Sequence, residues 1–123
     1  MIQDIPTLED VLKYEEDLIG AVEKQVDSAQ SPNAKAILLR LQVLLKSRVV
    51  RTFVEHLNER KFSLSSMKKI QEIDDALDEL RVLELNLPFP EKRFILEQGK
   101  KERAGKITMM AILLGLFGFE WVE

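Results

Sequence analysis

The sequence predicts an all-α fold, a bundle of four or five helices arranged around a long central second helix. Two observations support this prediction. Apolar residues recur at spacings of three and four along most of the chain, and short segments rich in Ser, Asn and Pro separate these runs. The length of 123 residues suits one domain with a single core. We therefore predict one helical domain over 1–123, in which 105–123 is an apolar C-terminal segment.

The first helix is predicted over 7–28. Thr7 can cap it, and Asp10 three positions later resembles the second half of a capping box. Its apolar face consists of Leu8, Val11, Leu12, Leu18, Ile19, Val22 and Val26. Residues 28–33 are predicted to form a turn, with Ser31 as the N-cap of the next helix and Pro32 as its first residue.

The second helix is predicted over 32–61 without a break, because neither Gly nor Pro follows Pro32 in that range. Apolar residues between Ile37 and Leu45 surround most of its circumference, which predicts burial on several sides and a central position. Arg51 and Glu55 stand four positions apart, so we expect them to form an ion pair.

The third helix is predicted over 65–86, beginning in the Ser-rich segment 63–66. Its apolar face consists of Met67, Ile70, Ile73, Leu77 and Leu80. The opposite face carries Glu72, Asp75, Asp78 and Glu79 and is interpreted as solvated. After a break at 87–90, residues 91–104 are predicted to form a shorter polar helix that is interrupted at Gly99.

The C-terminal segment is uncharged over 107–119, which is shorter than the roughly 20 apolar residues that a membrane span requires. Three interpretations stay open. The preferred one is a last core helix or an oligomer interface. The second is association with a membrane surface, which the basic residues over 100–106 favour, and the third is a strand over 115–119. The candidate interface residues are Ile107, Met110, Leu113, Leu114, Leu116, Phe117, Phe119 and Trp121.

Charge alternates along the chain although the net charge is only −3. Successive segments 1–30, 31–69, 70–91 and 92–123 carry −6, +7, −6 and +2. Because consecutive helices usually pack as neighbours, the basic segment is interpreted as the inner partner of two acidic helices. The alternative is a docking face for nucleic acid or a protein partner, with the candidate residues Arg40, Arg48, Arg51, Arg60, Lys61, Lys68 and Lys69.

The sequence predicts no catalytic residue, no cofactor and no metal site. The absence of Cys excludes disulfides, a thiolate nucleophile and iron–sulfur clusters. No phosphate-binding or nucleophile-elbow motif occurs. His56 is the only histidine, and Glu55 and Glu59 beside it lack the Glu-x-x-His spacing of a di-iron site, so we interpret it as an ordinary helix residue. No signal peptide is predicted, and a cytoplasmic location is expected.

Residues 35–86 resemble the helical domain of GINS replication-factor subunits. The resemblance rests on the Arg-containing run over 44–54 of a long helix, followed by Ser63-Leu64-Ser65 and an acidic amphipathic helix. It implies a scaffold for replication proteins without catalysis, although the small β-domain of that family is missing or replaced by the apolar segment. The residues themselves favour a non-enzymatic interaction or assembly protein that self-associates. Nucleic-acid binding through 35–69 and membrane association through the C-terminal segment are the alternatives.

Overall fold

The chain folds into five helices and two short strands in a computed structural model, which describes residues 8–123 and their side chains from residue 12 onward. The elements are α1 (Leu8–Ser28), α2 (Pro32–Lys46), α3 (Val49–Asn58), β1 (Lys61–Ser63), α4 (Leu64–Leu83), α5 (Phe89–Leu116) and β2 (Glu120–Val122). The predicted all-α class is confirmed. The predicted cap at Thr7 and Asp10 lies outside the described side chains.

The hydrophobic core lies between α1, α2, α3 and α4. Its buried members are Ile19, Val22, Leu38, Leu41, Leu45, Val49, Ile73 and Ala76. Each fully buried aliphatic side chain of this kind contributes about 1.5–3 kcal/mol to the free energy of unfolding. Helix α5 lies outside this core and packs mainly on α4, and none of its residues is fully buried. The interpretation of the C-terminal segment as a last core helix is therefore wrong.

Two helix starts follow the local sequence. Ser31 accepts a hydrogen bond from the Ala34 backbone N–H (3.4 Å), and Pro32 is the first residue of α2. Ser63 likewise accepts from the Ser66 N–H (3.3 Å) at the start of α4. These contacts confirm the predicted starts. Each N-cap hydroxyl binds a backbone N–H only three positions later in the chain, so the local sequence is enough to predict it.

The predicted second helix is broken in two at Ser47 and Arg48, which corrects the prediction of one helix over 32–61. Arg48 adopts a left-handed conformation (φ 60°), which is unfavourable for a residue with a Cβ, and its side chain does not cap α3. Arg48 instead binds two carboxylates of α1, at 2.6 Å from Glu16 and 3.7 Å from Glu15. The break is thus stabilised by contacts with another helix.

Glu15 of α1 caps α3 from outside. Its carboxylate is 1% exposed and accepts a hydrogen bond from the Arg51 backbone N–H (3.0 Å), the third residue of α3. A carboxylate suits this place because the N-terminus of a helix has unpaired N–H groups and a partial positive charge. Glu15 therefore replaces the cap that Arg48 cannot provide.

Ion pairs join the basic segment to the acidic helices on both sides of it. Arg40 of α2 binds Glu79 of α4 (2.6 Å), and Lys46 binds Glu23 of α1 (3.2 Å). The predicted pair of Arg51 and Glu55 is also present (3.3 Å). The contacts of Arg40, Lys46 and Arg48 agree with the interpretation of the basic segment as the inner partner of two acidic helices, whereas Arg51 pairs within its own helix.

Helix α5 covers Asp75 and Asp78 on the acidic face of α4, which corrects the prediction that these two are solvated, whereas Glu72 is exposed as predicted and Glu79 binds Arg40 of α2. Arg103 of α5 binds Asp75 at 2.5 Å and Asp78 at 3.2 Å, and the three side chains are only 10–21% exposed. Although burial acts to lower the pKa of Arg103, its hydrogen bonds and charge interactions with Asp75 and Asp78 raise it overall. Arg103 therefore stays charged and holds α5 against α4.

Helix α5 runs through Gly99 without the predicted interruption. A Cβ at Gly99 would lie 2.8 Å from Asp78 Oδ2 and 3.1 Å from the guanidinium nitrogens of Arg103. Glycine costs a helix interior about 1 kcal/mol relative to alanine, but here it leaves room for the Arg103–Asp78 pair. Gly99 thus allows close contact between α4 and α5.

A glycine turn ends α5 and directs the chain into β2. The Phe119 N–H bonds to the Leu114 carbonyl (2.9 Å) and the Gly118 N–H to that of Gly115 (3.1 Å), with Gly118 at φ 85°. This pattern is a Schellman motif, in which a residue with positive φ closes the helix. Strand β2 then pairs in parallel with β1. The alternative of a strand over 115–119 is wrong, because the strand begins at Glu120.

Candidate functional site

Most of the candidate basic residues are engaged within the chain. Four of them form ion pairs: Arg40, Arg48, Arg51 and Lys61. Arg60 contacts the C-terminal segment instead. Lys68 and Lys69, at the start of α4, are exposed and form no ion pair with the described part of the chain. The structure does not gather the seven residues into one free basic face.

The C-terminal segment carries half of the exposed large hydrophobic side chains of the described residues. Seven large side chains along it are at least 44% exposed, and we call them the α5 patch: Met109, Met110, Ile112, Leu113, Leu116, Phe117 and Trp121. The most exposed are Leu116 (77%) and Phe117 (69%). Ile107, Leu114 and Phe119, which were also candidates, are half-buried. Five of the eight predicted interface residues therefore belong to the patch.

The exposed area of the α5 patch is roughly 800 Å², since seven side chains of about 200 Å² each are rather more than half exposed. The largest apolar patch on an ordinary monomer is about 300–600 Å², and larger ones mark interaction sites. This size identifies the α5 patch as the strongest candidate site in the described residues.

Contacts with β1 and the preceding turn hold the far end of the patch in place. The Arg60 guanidinium donates to the Phe117 carbonyl (2.7 Å), and it lies 4.7 Å from the centre of the Phe119 ring. The rings of Phe62 and Trp121 are 6.4 Å apart, and Phe62 is buried. The backbone that carries Phe117 and Trp121 is therefore fixed, which lowers the entropy cost of binding a partner.

An apolar groove of about 200 Å³ adjoins the patch, between α4 and α5. Its apolar lining consists of Phe53, Met67, Ile70, Ile107 and Met110. Met110 belongs to both the groove and the α5 patch, so the two form one continuous surface.

Gln71, Asp74, Arg103 and Lys106 complete the lining of the groove. Asp74 as a residue is exposed, but partial burial of its carboxyl raises its pKa above the ordinary value of 3.8. The charge of Arg103 opposes this shift, and that of Asp75 adds to it. A groove that keeps water from a carboxyl at its edge suits an apolar group rather than a charged one.

Charges of opposite sign border the two ends of the patch. Lys100, Lys101 and Lys106 precede it on α5 and are exposed, with one acid, Glu102, among them. Glu120 and Glu123 lie at its other end and are also exposed. The surface is therefore basic at one end, apolar in the middle and, with two acids beside the single guanidinium of Arg60, weakly acidic at the other end.

Sequence reasoning missed Met109 and Ile112, although both stand at helical spacing from candidates that it named. They were missed because a segment that is apolar on every side does not show which side faces α4. The structure separates the sides, since Ile107 lines a groove with residues of α4 and Leu114 is half-buried, whereas Met109 and Ile112 are exposed.

The described residues form no metal-binding group of three or more His, Asp or Glu side chains. His56 is half-buried on α3, and its ring Nδ1 has no hydrogen-bond partner within 8–123. Its neighbours Glu55 and Glu59 bind Arg51 and Lys61 instead. None of the described helices is long and apolar enough to cross a membrane.

Comparisons of the chain with protein-family models, with curated proteins and with solved structures found no match. The resemblance of residues 35–86 to GINS subunits stays a prediction from the sequence.

Proposed function

We propose that this chain is a non-enzymatic assembly protein that forms a dimer by pairing the α5 patch of two copies. The observation that carries the proposal is the α5 patch of seven exposed apolar side chains, held outside the core by the contacts of Arg103 and Arg60. Burying this surface would remove seven exposed large apolar side chains from water.

The area of the patch supports a second copy as the occupant. An interface of standard size buries about 800 Å² on each partner, and the patch alone exposes roughly that area. Its content of Phe, Trp and Met is also typical of interface centres, where charged residues are rare.

The order of the charges supports the same occupant. A two-fold axis makes each residue of one copy meet the symmetry-related position of the other. With the axis near Leu113 and the helices antiparallel, the end of α5 that carries Lys106 lies against the end of the partner's patch that carries Glu120. The basic end of each patch then meets the acidic end of its partner, which favours this orientation over a parallel one.

The proposal predicts that Leu113→Glu produces a monomer. A carboxylate at the centre of the interface would lose its hydration without gaining a hydrogen-bond partner. The dissociation constant of the dimer should therefore rise about a hundredfold or more. Size-exclusion chromatography with light scattering, at micromolar concentration, measures the mass of the unmodified chain and of the variant. We expect twice the chain mass for the former and the chain mass for the latter.

Val43→Glu is the matched control, because Val43 is 71% exposed on α2 and lies outside the patch. This variant should keep the mass of the dimer. Two results would contradict the proposal: an unmodified chain that is a monomer, whether or not it binds lipid vesicles, or a Leu113→Glu variant that stays a dimer.

A further inference from the structure

We propose that the phenyl ring of Phe117 in one copy binds in the α4–α5 groove of the second copy. The dimer then contains two identical ring-binding sites, which we call seats, each formed by Phe117 of one copy and the groove of the other. This inference rests on the proposed dimer and names the contact that determines its register. Two features of the α5 patch carry this inference. One end has an exposed ring on a fixed backbone, and the other end adjoins an apolar groove.

The groove has the size and chemistry for an aromatic ring. A cavity of about 150 Å³ lined by aliphatic and aromatic side chains can bind benzene, and the groove measures about 200 Å³. Phe53 of α3 forms one wall and offers a ring for an edge-to-face or offset contact. Met67 and Met110 adjust their shape easily around such a ring.

Phe117 does not fill the groove of its own chain. Its side chain is 69% exposed, and its backbone carbonyl is held by Arg60 at the turn that ends α5. The ring therefore points to solvent from a rigid base. A partner that accepts it need not order the backbone first, and this favours binding.

The antiparallel arrangement brings this ring to the groove. Phe117 follows Leu113 by four positions and Met109 precedes it by four, so Phe117 of one copy lies opposite Met109 of the other. The next residue, Met110, lines the groove. Lys106 also lines the groove, at the basic end of the patch, which meets the end of the partner's patch that carries Glu120.

A mixture of two variants tests the seat between chains. Phe117→Ala removes the ring and leaves the groove, whereas Phe53→Ala removes one groove wall and leaves the ring. Each homodimer then has two damaged seats. The mixed dimer keeps one intact seat, in which Phe117 of the Phe53→Ala chain meets the complete groove of the Phe117→Ala chain.

Native mass spectrometry of the mixture, with one variant isotopically labelled, measures the proportion of mixed dimer. If each seat is worth about tenfold in affinity, the scale of an aromatic hot spot, roughly nine tenths of the dimers should be mixed instead of the statistical half. Ile107→Ala, which also changes the lining of the groove, replaces Phe53→Ala if that variant does not fold. Leu116→Ala replaces Phe117→Ala in the control mixture, which should stay at the statistical half.

The outcomes separate this inference from the proposed function. If the unmodified chain is dimeric and the first mixture stays at one half, the seat is wrong and the dimer stands. If the unmodified chain is monomeric, the proposed function itself is wrong. An excess of mixed dimer in the first mixture alone supports both.

Discussion

Replacing Glu15 with alanine is expected to lower the free energy of unfolding by about 2–3 kcal/mol. The change removes the hydrogen bond to the Arg51 N–H and leaves that donor without a partner at the start of α3. It also deprives Arg48, which has an unfavourable backbone conformation, of one of its two carboxylates. Urea unfolding at a fixed protein concentration measures the difference.

Glu16→Ala is the control, because Glu16 also binds Arg48 but its side chain is 63% exposed. It should cost at most about 1 kcal/mol, as exposed ion pairs do. Glu15→Gln should lie between the two, since an amide oxygen can still accept from the Arg51 N–H. If Glu15→Ala costs no more than Glu16→Ala, the cap that we assign to Glu15 is wrong.

Gly99→Ala is expected to destabilise the chain by about 1–2 kcal/mol, although alanine is the better helix former. The added methyl group would meet the Asp78 carboxylate at 2.8 Å. It would also come within 3.1 Å of the Arg103 guanidinium, so the pair that holds α5 on α4 would have to shift.

Gly105→Ala on the same helix is the matched control, because nothing lies within 4 Å of its added methyl group. It should stabilise the chain by about 0.5–1 kcal/mol through helix propensity alone. Thermal or urea unfolding of the two variants therefore gives opposite signs. Two stabilising effects would mean that α5 does not approach α4 at Gly99 as the structure shows.

Local signals predicted most of the helices. The apolar spacing of three and four residues, the cap Ser31 and the Ser-rich segment 63–66 depend on neighbours within one or two helical turns. Where such signals exist, as at the starts of α2 and α4, sequence and structure agree.

The break at Arg48 could not be predicted from local sequence. Neither glycine nor proline marks it, and the residues that stabilise it, Glu15 and Glu16, belong to α1. The acidic face of α4 was misinterpreted for the same reason, because Asp75 and Asp78 find their partner in Arg103 of the following helix. In both cases a contact between helices determines the structure, whereas periodicity alone predicts an unbroken helix at Arg48 and a solvated acidic face on α4.

The candidate site was predicted in part. The uncharged run over 107–119 identified the apolar segment, but it did not show which side would face α4. The strands β1 and β2 have three residues each, too few to show alternation, so the fixed position of Trp121 beside Phe62 had no sequence signal.

The fluorescence of Trp121 in the unmodified chain tests the central claim most directly. Trp121 is the only tryptophan, and it is 60% exposed within the α5 patch. Pairing of two patches should exclude water from its ring. We therefore expect its emission to move to longer wavelength on dilution, with the same midpoint as the dissociation measured by sedimentation. An emission that is independent of concentration while the mass halves would place the dimer interface elsewhere, and a single-chain mass at every concentration would contradict self-association altogether.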